Sequence, residues 1–64
     1  MKLYRSILVK NINLIVDGRT IMLRRGREFL TSAERNRKVR VYTLEWQKDF
    51  DEDLFVGAEE IVEL

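Results

Sequence analysis

The sequence predicts a single small domain that is mainly β. Asp17-Gly18 separates two short runs in which apolar and polar residues alternate. Val39 to Trp46 is crowded with β-branched and aromatic side chains, a composition suited to a pleated, half-buried surface. The 64-residue chain has no Pro and three Gly, each lying between apolar stretches, so the glycines punctuate the elements.

Leu3 to Val16 is rich in Ile, Leu and Val and is interrupted at Lys10-Asn11, where a bend or bulge is expected. Ile12, Leu14 and Val16 alternate with Asn11 and Asn13, which is the period of a half-buried strand. Asp-Gly between such strands favours a type I′ hairpin, whose central residues both need positive φ. Ile21 and Leu23 then continue the alternation on the return strand. Arg24 to Arg27 reads as a second turn, followed by a short strand over Glu28-Phe29-Leu30. Thr31 to Lys38 is polar apart from Ala33. Thr31 and Glu34 have capping-box spacing, yet a segment polar on all sides makes a poor helix, so an exposed loop is expected. Val39 to Trp46 is the strongest strand, and its apolar residues change parity, which implies a bulge or bend. Gln47 to Asp53 reads as an acidic turn. From Leu54 to Leu64 two readings stay open. One is strand, turn at Gly57 to Glu60, and strand; the other is a helix presenting Leu54, Ala58, Ile61 and Val62. Gly57 costs a helix about 1 kcal/mol relative to Ala, and Phe55-Val56 favour strand.

The Asp-Gly hairpin, the strand–basic loop–strand middle and the ending Phe55 to Leu64 resemble an SH3-like small β-barrel. In that superfamily a late strand runs through a single 3₁₀ turn into a short final strand. The resemblance covers residues 12–64 as a pattern of elements. It implies about five short antiparallel strands with a 3₁₀ or short helical turn near the C-terminus; an antiparallel sheet with a C-terminal helix is the alternative. The peptide-binding signatures of signalling SH3 domains, an Ala-Leu-Tyr-Asp-Tyr-type segment and a Trp-Trp pair, are absent, since Trp46 stands alone. No ligand groove is carried over.

Composition narrows the function classes. With 45% hydrophobic and 36% charged residues, the chain can fold. At this length it buries only about 60% of its unfolded surface, so stability is marginal and a homodimer sharing one core is a natural solution. Cys and His are both absent, which removes disulfides, thiolate and imidazole metal ligands, and a general base near neutrality. Asp49, Asp51 and Asp53 alternate but do not meet a Ca²⁺-loop pattern, so no metal or other cofactor is expected. Ser6 and Ser32 have no evident base partner, and no glycine-rich phosphate loop exists. The expectation is a non-enzyme without a small-molecule substrate. No apolar run approaches the roughly 20 residues of a membrane span, and Leu3-Tyr4-Arg5-Ser6 does not open a signal peptide, so a cytoplasmic location is expected.

Charge is sorted along the chain. Residues 1–40 hold eleven Lys/Arg against three acids, a net of +8, and residues 41–64 hold one Lys against eight acids, a net of −7. Such asymmetry points to a highly charged partner. Arg19, Arg24, Arg25, Arg27, Arg35, Arg37, Lys38 and Arg40 form the basic set, and seven of these eight are Arg, whose planar fork suits phosphate. The favoured function is a binding module for nucleic-acid phosphates through Arg24, Arg25, Arg27, Arg37, Lys38 and Arg40, with Tyr42 as a base-stacking platform. The alternative is a protein–protein interaction module: a small regulator, inhibitor or accessory subunit, a virus-encoded one included. It would dock a charged partner through Phe50, Asp51, Glu52 and Asp53. Trp46, Phe29 and Phe55 are expected in the core.

Overall fold

Alternating segments of the chain become strands, and so do two segments with no strand-like composition. The computed structural model describes residues 2–63. They form β1 (Lys2–Leu8), β2 (Ile12–Val16), β3 (Arg19–Leu23), β4 (Glu28–Ser32), β5 (Lys38–Tyr42), β6 (Gln47–Asp51), a 3₁₀ turn (Glu52–Leu54) and β7 (Phe55–Glu63). Leu64, assigned by the sequence to the last strand, lies outside the described residues. All pairings are antiparallel. Five strands form one sheet in the order β6-β5-β4-β1-β7, and β2-β3 form a separate hairpin. There are thus seven strands in two sheets rather than about five, and no closed barrel is detected among the described residues.

The hairpin forms as the sequence predicts, with Asp17 at φ 50° and Gly18 at φ 76° in the turn. Its inner row, Ile12, Leu14, Val16, Ile21 and Leu23, packs on a core of Leu8, Phe29, Val41 and Phe50. Phe29, Trp46, Phe50 and Phe55 form a closed set of four rings with centroids 6.1–6.4 Å apart; of the three aromatics expected in the core, Phe29 is buried there, while Trp46 and Phe55 are half-buried and pack against it. Ser6 and Thr31, the two buried polar side chains among the described residues, satisfy each other through an Oγ–Oγ1 hydrogen bond of 2.8 Å.

Four local expectations are corrected. β4 runs on through Ser32, and the loop after it closes as a tight turn in which Arg35 and Lys38 exchange both backbone hydrogen bonds. The strand expected over Val39–Trp46 ends at Tyr42, where Thr43 reverses the chain. The Thr43 hydroxyl donates to the Trp46 carbonyl (2.8 Å) and accepts from the Trp46 (2.9 Å) and Glu45 (3.3 Å) amides. This reversal, not a bulge, accounts for the parity change. The expected acidic turn is a strand, β6, whose Phe50 points inward opposite Val39. The tail is one long strand on β1, in which Gly57 makes a bulge and not a turn. Its φ of 68° supplies the left-handed residue that such a bulge uses, between the pairs Arg5–Glu59 and Ile7–Val56.

Candidate nucleic-acid interface

On β5 the inward residues are Val39 and Val41, so Lys38, Arg40 and Tyr42 share the outward face. Across from them on β6, the register places Asp51 opposite Lys38, Asp49 opposite Arg40 and Gln47 opposite Tyr42. Two ion pairs result. Lys38 Nζ donates to Asp51 Oδ1 at 2.6 Å, and Arg40 Nε donates to Asp49 Oδ1 at 2.8 Å. These hydrogen bonds hold both carboxyls below their ordinary range, and the bond that Arg40 donates to Asp49 raises the guanidinium above its own. Two of the six predicted phosphate ligands therefore face two carboxylates from the acidic half of the chain.

Arg37 sits in the turn between β4 and β5. Asn36 and Arg37 both adopt positive φ, 53° and 63°, which makes this a second I′-type hairpin turn without a glycine. The Arg37 amide donates to Glu34 Oε1 (2.6 Å), and its carbonyl accepts from the Glu52 amide (2.9 Å). A shallow groove of about 620 Å³ runs along this end and the outer face of β5. Lys2, Arg35, Lys38 and Arg40 line it together with Glu34 and Asp49, so its charge is mixed.

Arg24, Arg25 and Arg27 occupy the turn at the opposite end of β4. That five-residue strand separates the two turns by roughly 15 Å at ~3.3 Å per residue. The turn is anchored through its backbone. Gly26, at φ 90°, donates to the Leu8 carbonyl (2.8 Å), and the Arg27 carbonyl accepts from the Leu8 amide (3.0 Å). The Arg25 amide donates to Asn11 Oδ1 (2.8 Å), which brings the bend carrying Lys10 alongside. The Arg27 guanidinium lies 4.6 Å from the centre of the Phe29 ring, a cation–π contact that restrains it. Among the described residues, Lys10, Arg24, Arg25 and Arg27 form no salt bridge; the four that exist are Lys2–Glu60, Arg5–Glu59, Lys38–Asp51 and Arg40–Asp49. Lys10 was not among the predicted ligands. Its sequence signal is that it breaks an apolar run between two strands, which places it on a turn but not beside a particular one. Arg19 lies apart, at the tip of the β2-β3 hairpin opposite Val16.

The basic set thus divides: Arg24, Arg25 and Arg27 gather with Lys10, while Arg35, Arg37, Lys38, Arg40 and Tyr42 gather at the other end and face. The acidic segment divides as well. Phe50 is 7% exposed and belongs to the core, so it presents no aromatic anchor to a partner. Asp49 and Asp51 are engaged by Arg40 and Lys38, which leaves Glu52 and Asp53 of the 3₁₀ turn.

Comparison with family models, with curated proteins and with solved structures returns no match to this chain. Among the described residues, one basic region offers an anion four cations that form no salt bridge, while the other offers Arg35 and Arg37 in that state beside Lys38 and Arg40, which must first give up their aspartates.

Proposed function

We propose that the chain is a non-enzymatic binding module that holds nucleic-acid phosphates on the end formed by Lys10, Arg24, Arg25 and Arg27. The fold proposed for it is an SH3-like small barrel. Support for that comes from the hairpin at Asp17-Gly18 and from the run of β6 through a single 3₁₀ turn into β7. The functional reading rests on one observation: among the described residues, the four cations on two adjoining turns have no carboxylate within salt-bridge distance, whereas Lys38 and Arg40 each have one. A phosphate approaching the first region meets donors that need only shed water and counterions. At Lys38 or Arg40 it must also strip an aspartate from its partner.

Four phosphate contacts set a log–log salt slope near −2.8 on a single strand and near −3.6 on duplex DNA, at about −0.7 and −0.9 per contact. Fluorescence anisotropy with labelled oligonucleotides at low salt tests the reading. The R24Q/R25Q double variant is expected to lower the slope magnitude by about 1.4–1.8 and to weaken binding at least about tenfold. The K38Q/R40Q variant should stay within about twofold of the parent, since its cations are already paired. Absence of binding to DNA and RNA at low salt, or equal losses in both variants, would sink the proposal. Docking of a protein on residues 49–53 has less support, because Asp49 and Asp51 are engaged and Phe50 is in the core.

A further inference from the structure

Beside the basic end lies a groove of about 300 Å³ lined by Ile21, Arg27, Thr43, Leu44, Glu45 and Trp46. Its volume is at the small end for ligand pockets, roughly 300–1,000 Å³. Its walls are braced by ring packing and by hydrogen bonds. Trp46 is wedged between Phe29 and Phe50, with ring centroids at 6.4 and 6.3 Å, and is half-buried. The Thr43 hydroxyl fixes the turn that carries Leu44 through its three hydrogen bonds. Leu44 itself is 106% exposed, more than any other large apolar side chain described. A fully exposed Leu contributes no burial to the fold, and a two-residue hairpin tip ordinarily takes polar or Gly residues. Here it projects beside an arginine that also belongs to the phosphate-binding end.

Resting on the phosphate-binding reading, we infer that this groove receives an unpaired base of a single-stranded nucleic acid. The phosphates on either side of that base lie on Arg27 and on the adjoining Arg24, Arg25 and Lys10. A base inside a duplex has both faces stacked and cannot enter, so the groove discriminates single strands from duplexes. Ile21, Leu44 and Trp46 supply apolar contact to a base, and the guanidinium of Arg27 supplies the charge complementarity. The Glu45 carboxylate repels phosphate but accepts a hydrogen bond from a base N–H, such as the ring N–H of thymine or uracil. It therefore favours the base, and not the backbone, as occupant.

Trp46 is the chain's sole tryptophan and reports directly on the groove. Short oligothymidylate, oligouridylate and a mixed-sequence DNA duplex are titrated at low salt, reading anisotropy and Trp46 fluorescence together. Both single strands are expected to bind more tightly than the duplex and to quench Trp46, while the duplex leaves its emission unchanged. L44S, at a position outside the core, should weaken single-strand binding about fivefold, through loss of apolar contact with the base, and leave duplex binding unaltered. Equal affinity for single strands and duplex, unaltered Trp46 emission, or an inert L44S would overturn the base-pocket inference while the phosphate site stands. Failure of all three nucleic acids to bind would overturn both.

Discussion

The two basic regions differ less in how many cations they hold than in what faces them. The turn over Arg24–Arg27 joins β3 to β4, and its hydrogen-bonded neighbours, the end of β1 and the bend at Lys10-Asn11, carry no acid; Glu45 lines a groove with Arg27 but forms no salt bridge to it. The region around Lys38 and Arg40 lies on β5, and its neighbour β6 is drawn from the acidic half of the chain. Antiparallel pairing of β5 with β6 folds the sequence dipole onto itself, residue against residue. Charge counted along a chain becomes an electrostatic field only where strand register leaves it unopposed. For this reason part of the +8 run in sequence, at Lys38 and Arg40, is met by carboxylates across the β5–β6 ladder, while Lys10, Arg24, Arg25 and Arg27 are not among the salt-bridged residues described.

Releasing the second region should make it resemble the first. The D49N/D51N variant removes two carboxylates from β6 while keeping the side-chain shapes, and so frees Arg40 and Lys38 beside Arg35 and Tyr42. If pairing is what silences this face, binding to a single strand strengthens, and the salt slope steepens by about 1.4 at ~0.7 per added phosphate contact. An unchanged slope would show that the difference between the regions has another origin. Because exposed ion pairs contribute little to stability, the variant should remain folded.

A second, smaller difference is conformational. Both basic turns need left-handed residues, but the first places Gly26 there and the second places Asn36 and Arg37. A non-glycine residue in this region costs about 1–2 kcal/mol. Arg37→Gly should therefore stabilise the fold by about 1 kcal/mol, raising the melting temperature by roughly 4–8 °C for a domain of this size. Thermal unfolding followed by circular dichroism checks it. A lower melting temperature would mean that contacts of the Arg37 side chain outweigh its backbone strain.

These comparisons also explain what was legible in the sequence. Asp17-Gly18 carries its turn chemistry in the residues themselves, so the β2-β3 hairpin could be placed to the residue. The Thr43–Trp46 reversal has no Gly, Pro, Asn or Asp, and depends on one hydroxyl bridging three residues; its composition reads as strand. β6 has the opposite disguise. Gln47, Lys48, Asp49 and Asp51 are unlikely-looking strand residues, and the segment is held by an inward Phe50 and by charges across the ladder. Misreading those two segments hid the pairing partner of β5. It also hid the neutralisation of Lys38 and Arg40, since partners are fixed by register and not by position in the chain. Lys10 was missed for a similar reason: only the bond from the Arg25 amide to Asn11 brings its bend to the arginine turn.

Acid titration gives the subtlest test of the same asymmetry. The hydrogen bonds from Arg40 and Lys38 lower Asp49 and Asp51, whereas an unfolded Asp titrates near ~3.9. Between the folded and unfolded values the folded chain binds fewer protons, so stability rises with pH across that window. The contribution is complete above the unfolded value and disappears as pH falls through the folded one. Chemical denaturation at a series of pH values from about 5 downward should therefore show a steeper loss in the parent than in D49N/D51N. The effect is modest, since all four side chains are at least half exposed, and raising salt to about 1 M, where the Debye length is ~3 Å, should narrow the gap. Coincident acid limbs at low salt would mean that the cross-strand pairs do not persist in solution. Lys38 and Arg40 would then be as available to phosphate as Arg24 and Arg25.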